Sequence, residues 1–360
     1  SAEVYRLVAS PTLPAIPLLT AAGYILAEGG ASARLVRFFR ALFGWMPGGI
    51  AVMVAAVCAL FTTFTGGSGV TIIALGGLVY PILRDDGYPE GFSLGLVTAA
   101  GSLGLLFPPS LPVILYSVVA SVPADSLYLA GLVPGFLLVV LTAAWGIRQG
   151  LKLDAEGRSR PTFALRELGS SFWEAKWELA LPVLVVVLFA SGFASMVEAS
   201  AAACAYAAIV ECFVTRDIHP FRQLPGVLIK AGALMGAVLL LLSVAMGLTS
   251  WLVDAQVPSA LLEYVKTHVS SPLVFLLVLN GILLVLGSVL EIYSAIVILA
   301  PLVAPMGAAF GIDPIHLGVI FLANLELGFL FPPVGLNLFL SSSRFGIPLP
   351  KLYRHAVPYL

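Results

Sequence analysis

The chain has 360 residues, of which 60% are hydrophobic and only 10% are charged, and its mean hydropathy is +1.04. A soluble domain carries about 25% charged residues, so this composition excludes an ordinary water-covered globule and indicates that lipid covers much of the surface. The formal net charge of −1 gives no indication of a nucleic-acid partner. The three cysteines (Cys58, Cys204 and Cys212) form no CxxC pair and lie in apolar windows, where we expect buried thiols.

Several apolar windows are suited to membrane-spanning helices. Helices are expected because backbone polar groups in lipid must be paired within their own segment, and strand-type alternation is absent from these windows. The first residues lack the basic-then-apolar pattern of a signal peptide, and we expect further spans to flank the sequence. The windows are 13–27, 127–147, 179–195, 199–214 and 227–252.

A single long polar segment, 148–178, interrupts the apolar sequence. Its basic residues lie beside membrane spans, and such residues favour the cytoplasmic side. We therefore predict a solvated cytoplasmic loop that connects two halves of the chain.

The two halves repeat each other. A shift of 224 positions (311 − 87) places Gly87 on Gly311, Pro81 on Pro305, and GLLFPP at 104–109 on GFLFPP at 328–333. The first half has Arg34, Arg37 and Arg40 after its first span, whereas the matching stretch 259–268 has lost this basic excess. The positive-inside rule places the two stretches on opposite faces of the membrane, which predicts an inverted repeat typical of secondary transporters.

Each half has two glycine-rich or proline-rich interruptions, at 64–69 and 104–110 and at 287–294 and 328–334. Glycine clusters and paired prolines disfavour continuous helix, and unwound backbone at membrane depth is tolerated only against protein or a wet cavity. Its carbonyl oxygens suit sodium, and half-helix N-termini suit a carboxylate. Either interruption of the first half is compatible with a re-entrant hairpin, although the length of 48–83 favours that segment.

Polar residues within apolar sequence are functional candidates. Glu291 and Glu326 are candidate ligands, or else they satisfy loose backbone donors, and Asn337 is a ligand or a helix cap. Structural roles are expected for the other polar residues. Glu198 is expected at the membrane interface, His316 at a helix entry, and Tyr116 and Tyr293 in packing.

The sequence resembles the large, DctM-like permease subunit of tripartite ATP-independent periplasmic (TRAP) transporters. The run Asn324–Gly328 followed by PPVGLN at 332–337 is the most specific match. Two departures are a first tip that reads Thr65-Gly66-Gly67-Ser68 instead of a serine-rich tip, and Glu291 where aspartate is more usual. The other matching segments are 15–17, 23–26, 47–49, 65–69, 87–89, 108–110, 130–135, 198–199 and 311–314.

The resemblance implies an all-α polytopic membrane protein, an inverted-repeat elevator-type transporter with two re-entrant hairpins and two broken helices. The first repeat would be 1–147, with a span, an arm helix, hairpin 48–83, broken helix 92–121 and span 127–147. The connector 148–178 and two scaffold spans with a linker, 179–225, would precede the second repeat. That repeat, 226–360, would contain a span, an arm, hairpin 272–309 and broken helix 315–345.

The implied function is sodium-driven import of a small organic anion across the bacterial inner membrane, without an organic cofactor. The implied partners are a small DctQ-like membrane subunit and a periplasmic DctP-like substrate-binding protein. Predicted ligands of a first sodium site are Thr65, Gly66, Gly67, Ser68, Gly104, Phe107 and Pro108. Those of a second are Gly287, Ser288, Glu291, Gly328, Phe331 and Pro332, and the substrate candidates are Ser68, Pro109, Ser110, Pro333, Val334 and Asn337.

Three other functions are considered. A stand-alone divalent-anion/sodium symporter would share the interruptions but need no binding protein, and a channel would show unitary conductance. An intramembrane enzyme is disfavoured because no histidine or lysine lies in the matching apolar windows to activate Ser68.

Overall fold

The computed structural model describes residues 13–155, 162–269 and 271–360, and the regular structure within those ranges is entirely helical. The helices up to the polar connector are α1 (Ala15–Glu28), α2 (Ala31–Phe43), α3 (Gly49–Thr65), α4 (Ser68–Ala74), α5 (Gly76–Asp85), α6 (Glu90–Ala100), α7 (Leu111–Ala120) and α8 (Ala124–Ala155).

The later helices begin with two that pack beside the first repeat. They are α9 (Leu165–Ala190), α10 (Met196–Ile209) with a following π turn (Val210–Val214), α11 (Leu224–Asp254), α12 (Val257–His268), α13 (Pro272–Val289), α14 (Ile292–Ala309), α15 (Pro314–Gly328), α16 (Leu336–Phe345) and α17 (Leu349–Ala356). A short 3-10 turn, Val357–Tyr359, completes the described chain.

Five described helices are long and apolar enough to cross a membrane. They are α8, α10 with its π turn (Met196–Val214), the segment Leu224–Val244 of α11, α13 and α14. Large apolar side chains lie on the outside of several of them, such as Val133 on α8 at 76% exposure and Leu240 on α11 at 67%. Such an apolar exterior is suited to lipid, and the predicted all-α polytopic membrane architecture is confirmed.

The two repeats fold into the same order of elements. Helices α4 and α5 together span 68–85, and adding 224 to both limits gives 292–309, the limits of α14. Gly87 and Gly311 both have positive φ, at 88° and 70°. In each break the peptide bond between the two prolines is cis, Pro108–Pro109 in the first repeat and Pro332–Pro333 in the second. The sequence repeat is therefore a structural repeat of a hairpin followed by a broken helix.

The polar connector differs from the predicted loop. Helix α8 continues to Ala155 and α9 begins at Leu165, so most of 148–178 is helical, and 156–161 lie outside the described residues. Polar contacts between helices stabilise this end, since Arg37 of α2 forms ion pairs with Glu167 and Glu174 of α9. Helices can extend past an apolar window when their polar side chains find such partners.

The second hairpin breaks later than its glycine suggested. Helix α13 continues through Gly287 and Ser288 to Val289, and only Leu290 and Glu291 are extended. The predicted interruption 287–294 therefore narrows to two residues.

The scaffold of the molecule is formed by α1 with α10 and α11, and α2 connects it to hairpin α3–α5. Helix α2 packs against α9 and α3, and α13 packs against α15. One continuous apolar core includes Ile16 of α1, Ala203 of α10, Leu283 of α13 and Phe321 of α15. This packing brings the two hairpin tips to opposite walls of one cavity.

Candidate transport site

A cavity of about 420 Å³ lies between the two hairpin tips. Both broken helices reach it, through Leu105 and Leu336, and α11 forms a further wall. The lining is mostly apolar, with the hydroxyl groups of Ser68 and Ser294 among its few polar groups. The tip residues that line it are Gly67, Ser68, Gly69, Glu291, Ile292, Tyr293 and Ser294.

The first tip is a tight turn between α3 and α4. Gly66 ends α3 with a φ of 63°, and its amide donates to the Thr62 carbonyl at 2.9 Å. A Cβ atom at Gly66 would lie 2.3 Å from Leu111 Cδ1. Glycine is therefore required here both for the left-handed backbone and for close packing against α7.

Buried threonine hydroxyls cluster directly below this tip. Thr62 Oγ1 lies 2.7 Å from Thr71 Oγ1 and donates to the Gly101 carbonyl at 2.8 Å. Thr65 Oγ1 lies 3.4 Å from Thr71 Oγ1 and from the Gly67 carbonyl oxygen. The three side chains are at most 1% exposed. Uncharged hydroxyl and carbonyl oxygens are hard donors of the kind that bind alkali cations.

The same approach of hairpin to broken helix occurs in both repeats. A Cβ at Gly104 would lie 2.1 Å from the Ala59 carbonyl oxygen of α3. A Cβ at Gly328 would lie 2.8 Å from Gly287 Cα of α13. Each glycine lies where its broken helix meets the hairpin, and the close contact leaves no space for a side chain.

The second tip is capped by its own carboxylate. Glu291 Oε2 accepts from the amides of Tyr293 at 2.9 Å and Ser294 at 3.3 Å, at the start of α14. This is the structural role that the sequence left open for Glu291. It also occupies two amides that would otherwise be available to a bound anion.

A hydrogen bond joins the two tips. The Tyr293 hydroxyl donates to the Gly66 carbonyl at 2.7 Å, and both groups are buried. Gly335 of the second broken helix donates to the Ser288 carbonyl at 2.8 Å. The two hairpins and the second broken helix are thereby connected around the cavity.

Several predicted ligands lie elsewhere. Phe107 contacts Phe136 of α8, with ring centroids 5.0 Å apart. Pro108 and Pro109 line a separate apolar cavity of about 610 Å³ with α8 and α9. The prolines of the second break and the following valine (Pro332, Pro333 and Val334) are exposed, and Phe331 is half-buried.

Ser110 and Asn337 are buried and do not line the tip cavity. Asn337 Nδ2 donates to the Thr98 carbonyl at 3.1 Å and so joins the two broken helices. The Ser110 carbonyl accepts from the Tyr128 hydroxyl at 2.9 Å. Ser68 Oγ, Ser110 Oγ and Asn337 Oδ1 have no hydrogen-bond partner among the described residues.

Sequence reasoning missed Thr62, Thr71 and the bridging role of Tyr293. The two threonines follow the ordinary pattern of small polar residues in a membrane helix, and only their approach across the hairpin reveals them. The wall on α11 was also missed, because Leu234 and Val238 are indistinguishable from lipid-facing residues in a uniformly apolar helix.

The sequence matches the family described as the DctM component of tripartite ATP-independent periplasmic transporters over residues 1–360. A C4-dicarboxylate TRAP transporter large permease protein of Pseudomonas aeruginosa is 37% identical over 351 residues, which cover 97% of this chain and 81% of that protein. An isethionate TRAP transporter permease protein, DctMQ, of Oleidesulfovibrio alaskensis is 32% identical over 96% of this chain and 54% of that protein.

The fold also resembles a solved transporter. The crystal structure of the Alcanivorax borkumensis YdaH transporter superimposes with a TM-score of 0.72 at 15% sequence identity, covering 99% of this chain and 83% of that one. Since the relatives in sequence are named transporter permeases, the prediction of a transport protein and not an enzyme is confirmed. The chain belongs to the DctM family of TRAP transporter large permease subunits.

Proposed function

We propose that this chain is the large membrane subunit of a sodium-coupled transporter that imports a small organic anion delivered by a periplasmic binding protein. The observation that carries the proposal is the cavity of about 420 Å³ between the hairpin tips. Ligand sites have volumes of about 300–1,000 Å³, so this cavity fits a small acid. Relatives are named for C4-dicarboxylates, isethionate and sialic acid, which supports an organic anion.

The charges around the cavity favour a coupling cation. Glu291 is acidic, and no lysine, arginine or histidine is among the described residues that line the cavity. A carboxylate buried without a compensating positive charge is strongly disfavoured. Sodium bound beside the cavity would supply that charge, so anion and sodium would bind together.

We place one sodium site at the first tip, with hydroxyl ligands from Thr62, Thr65 and Thr71 and carbonyl ligands from the turn that contains Gly67 and the break at Gly104. The threonine cluster supports this site because Thr71 Oγ1 lies 2.7 Å from Thr62 Oγ1 and 3.4 Å from Thr65 Oγ1, and Thr65 Oγ1 lies 3.4 Å from the Gly67 carbonyl oxygen. It adds Thr62 and Thr71 to the predicted set.

The second sodium site is proposed where α13 ends against the second break. Glu291 and the backbone around Ser288, Gly328 and Gly335 provide its oxygens. The close contact of Gly287 with Gly328 repeats the geometry of the first half, which supports a second site of the same kind.

We further propose an elevator mechanism in the bacterial inner membrane. The hairpins and broken helices would move together against α1 and α8–α11, while α2 and α12 act as arms. The apolar wall on α11, from Leu234 to Leu241, is a surface along which such a domain can slide. A small membrane subunit would support the scaffold, as suggested by the relative named DctMQ.

The test is uptake of radiolabelled organic acids, beginning with C4-dicarboxylates, into proteoliposomes that contain this chain and its small subunit. Uptake is expected only with an inward sodium gradient and the cognate binding protein. Sodium-driven uptake without binding protein would favour the stand-alone symporter instead. Uptake at a rate independent of the sodium gradient would refute both proposed sodium sites.

A further inference from the structure

A cluster of charged side chains lies away from the transport cavity, where arm helix α2 meets the scaffold. Its centre is Arg34 of α2, which contacts three carboxylates. Arg34 Nε donates to Glu178 Oε1 of α9 at 2.6 Å, Nη2 donates to Glu211 Oε1 at 3.0 Å, and Nη1 donates to Asp217 Oδ2 at 2.5 Å. One guanidinium is therefore matched with three acids.

The acids are buried to different degrees. The side chain of Glu178 is 1% exposed and that of Glu211 is 0% exposed, whereas Asp217 is 31% exposed. Glu178 Oε2 is enclosed and has no hydrogen-bond partner within the described residues. Burial of unpaired negative charge is strongly unfavourable. With all three acids ionised, the single positive charge of Arg34 would not neutralise the cluster.

Two of the carboxyl groups accept from the same edge of one guanidinium. Glu211 Oε1 accepts from Arg34 Nη2 at 3.0 Å and Asp217 Oδ2 accepts from Arg34 Nη1 at 2.5 Å, and two carboxylates held beside one positive charge favour a proton on one of them. The chain approaches them closely, since a Cβ at Gly29 would lie 2.3 Å from Glu211 Oε2 and one at Gly30 would lie 2.5 Å from Asp217 Oδ2. This close approach leaves little space for a hydrated ion.

The remaining charges around the cluster do not neutralise it. Lys230 of α11 is paired with Glu28 of α1 at 2.6 Å, and Arg37 of α2 is paired with acids of α9. Arg216 and His219 beside Asp217 are exposed. The other polar groups nearby are Thr215, which donates to Glu211 Oε2 at 3.3 Å, and Tyr206, which donates to the Trp177 carbonyl at 3.0 Å.

The outer acid is the one that ionises. Partial burial acts to raise the pKa of Asp217, but the hydrogen bond and charge of Arg34 outweigh it and lower that pKa below its ordinary value. For Arg34, desolvation acts to lower the pKa, and the three acids outweigh it and raise the pKa above its ordinary value. Arg34 stays positive and Asp217 negative. Of the two buried acids, Glu178 accepts from Arg34 at 2.6 Å and Glu211 at 3.0 Å, so the weaker contact with the positive charge favours a proton on Glu211.

We propose that Glu211 is a proton-binding site, where a proton on Glu211, beside the ionised Asp217, holds arm helix α2 against scaffold helices α9 and α10. Glu211 lies in the π turn after α10, a kind of local widening that often marks functional positions. Loss of the proton would leave two uncompensated negative charges at the junction. Because the folded protein would hold a proton that the unfolded chain releases, its stability would fall as pH rises.

The test is pH-difference infrared spectroscopy of the full chain, labelled with carbon-13 glutamate, in lipid nanodiscs. The wild-type protein is expected to lose the carbonyl stretch of a protonated glutamic acid as pH rises, and Glu211→Gln is expected to lack that component. The control is Glu263→Gln, which removes an exposed glutamate of α12 and should leave the component unchanged. Identical difference spectra for wild type and Glu211→Gln would overturn the proposal.

A second variant keeps the test decisive if Glu211→Gln does not fold. Asp217→Asn preserves the shape of a partly exposed side chain and removes one negative charge beside Glu211. The same carbonyl component should then titrate at lower pH, because the neighbouring charge that favours the proton is gone. A titration that is unchanged in Asp217→Asn would show that the charge of Asp217 does not act on a proton at Glu211 and would overturn the proposal.

Discussion

The hydrogen bond between the hairpin tips is expected to hold the transport cavity closed. Tyr293→Phe removes the hydroxyl that donates to the Gly66 carbonyl at 2.7 Å and changes little else in the shape of the side chain. Both residues are buried, so the carbonyl loses its partner in a place with little access to water. Leaving a buried acceptor unsatisfied costs about 1–3 kcal/mol.

This free energy can be measured without knowing the substrate. Hydrogen–deuterium exchange of the tip segments 65–69 and 290–294, in nanodiscs, reports how often the tips open. A loss of about 1–3 kcal/mol corresponds to roughly 5–150-fold faster exchange in the regime where exchange follows the opening equilibrium. The effect should be confined to the tips and the adjacent cavity wall.

The matched control is Tyr206→Phe, which removes another tyrosine-to-backbone hydrogen bond, at 3.0 Å, between scaffold helices α10 and α9. It should leave exchange at the tips unchanged. If the tips of Tyr293→Phe exchanged as slowly as those of the wild type, the Tyr293 hydroxyl would not contribute to closure of the cavity.

Two further substitutions test the first sodium site that we propose. Gly104→Val should abolish uptake while leaving membrane insertion intact, because its Cβ would lie 2.1 Å from the Ala59 carbonyl oxygen. The control Gly281→Val, at a position with open space around it, should transport normally. Normal uptake by both variants would argue against the close contact at Gly104. Thr62→Val should raise the sodium concentration for half-maximal uptake several-fold, whereas the control Thr267→Val on exposed α12 should not. The same sodium dependence in Thr62→Val and in the wild type would place the ion elsewhere.

The repeat and its breaks were predictable because their chemistry is local. Paired prolines remove backbone donors and restrict the preceding residue, whatever surrounds them, so 108–109 and 332–333 mark the broken helices in any fold. Gly66 is similar, since its φ of 63° is a local requirement of the turn.

The position of the break in the second hairpin depends partly on contacts that are distant in sequence. Gly287 suggested a break, yet it lies inside α13, where it permits the approach of Gly328. The actual break at Leu290 and Glu291 is stabilised by the Glu291 carboxylate and by a bond from Gly335 to the Ser288 carbonyl. Gly335 lies about 45 residues further along the chain, and the contact of the Glu291 carboxylate depends on its side-chain rotamer. A pattern of glycines in the sequence predicts neither contact.

The arginines of α2 show the same limit for electrostatics. Sequence reasoning treated Arg34, Arg37 and Arg40 as one basic stretch that sets orientation. The structure separates them, because Arg34 is enclosed by carboxylates and Arg37 pairs with exposed acids of α9. The acids come from segments at least 130 residues away in the chain, so their convergence requires the tertiary fold.

If sodium and a carboxylate bind at the cavity as proposed, the acidic second tip also sets a requirement on their order of binding. Two like charges 4 Å apart repel by about 4 kcal/mol at an effective dielectric constant of about 20, which is roughly a thousandfold in affinity. A carboxylate substrate that approaches Glu291 meets this repulsion unless sodium is already bound. The KM of the anion should therefore rise steeply as sodium falls, and Glu291→Gln, whose amide oxygen can still cap α14, should weaken that dependence. Measured KM values with the same sodium dependence in both proteins would show that Glu291 does not couple the two ligands.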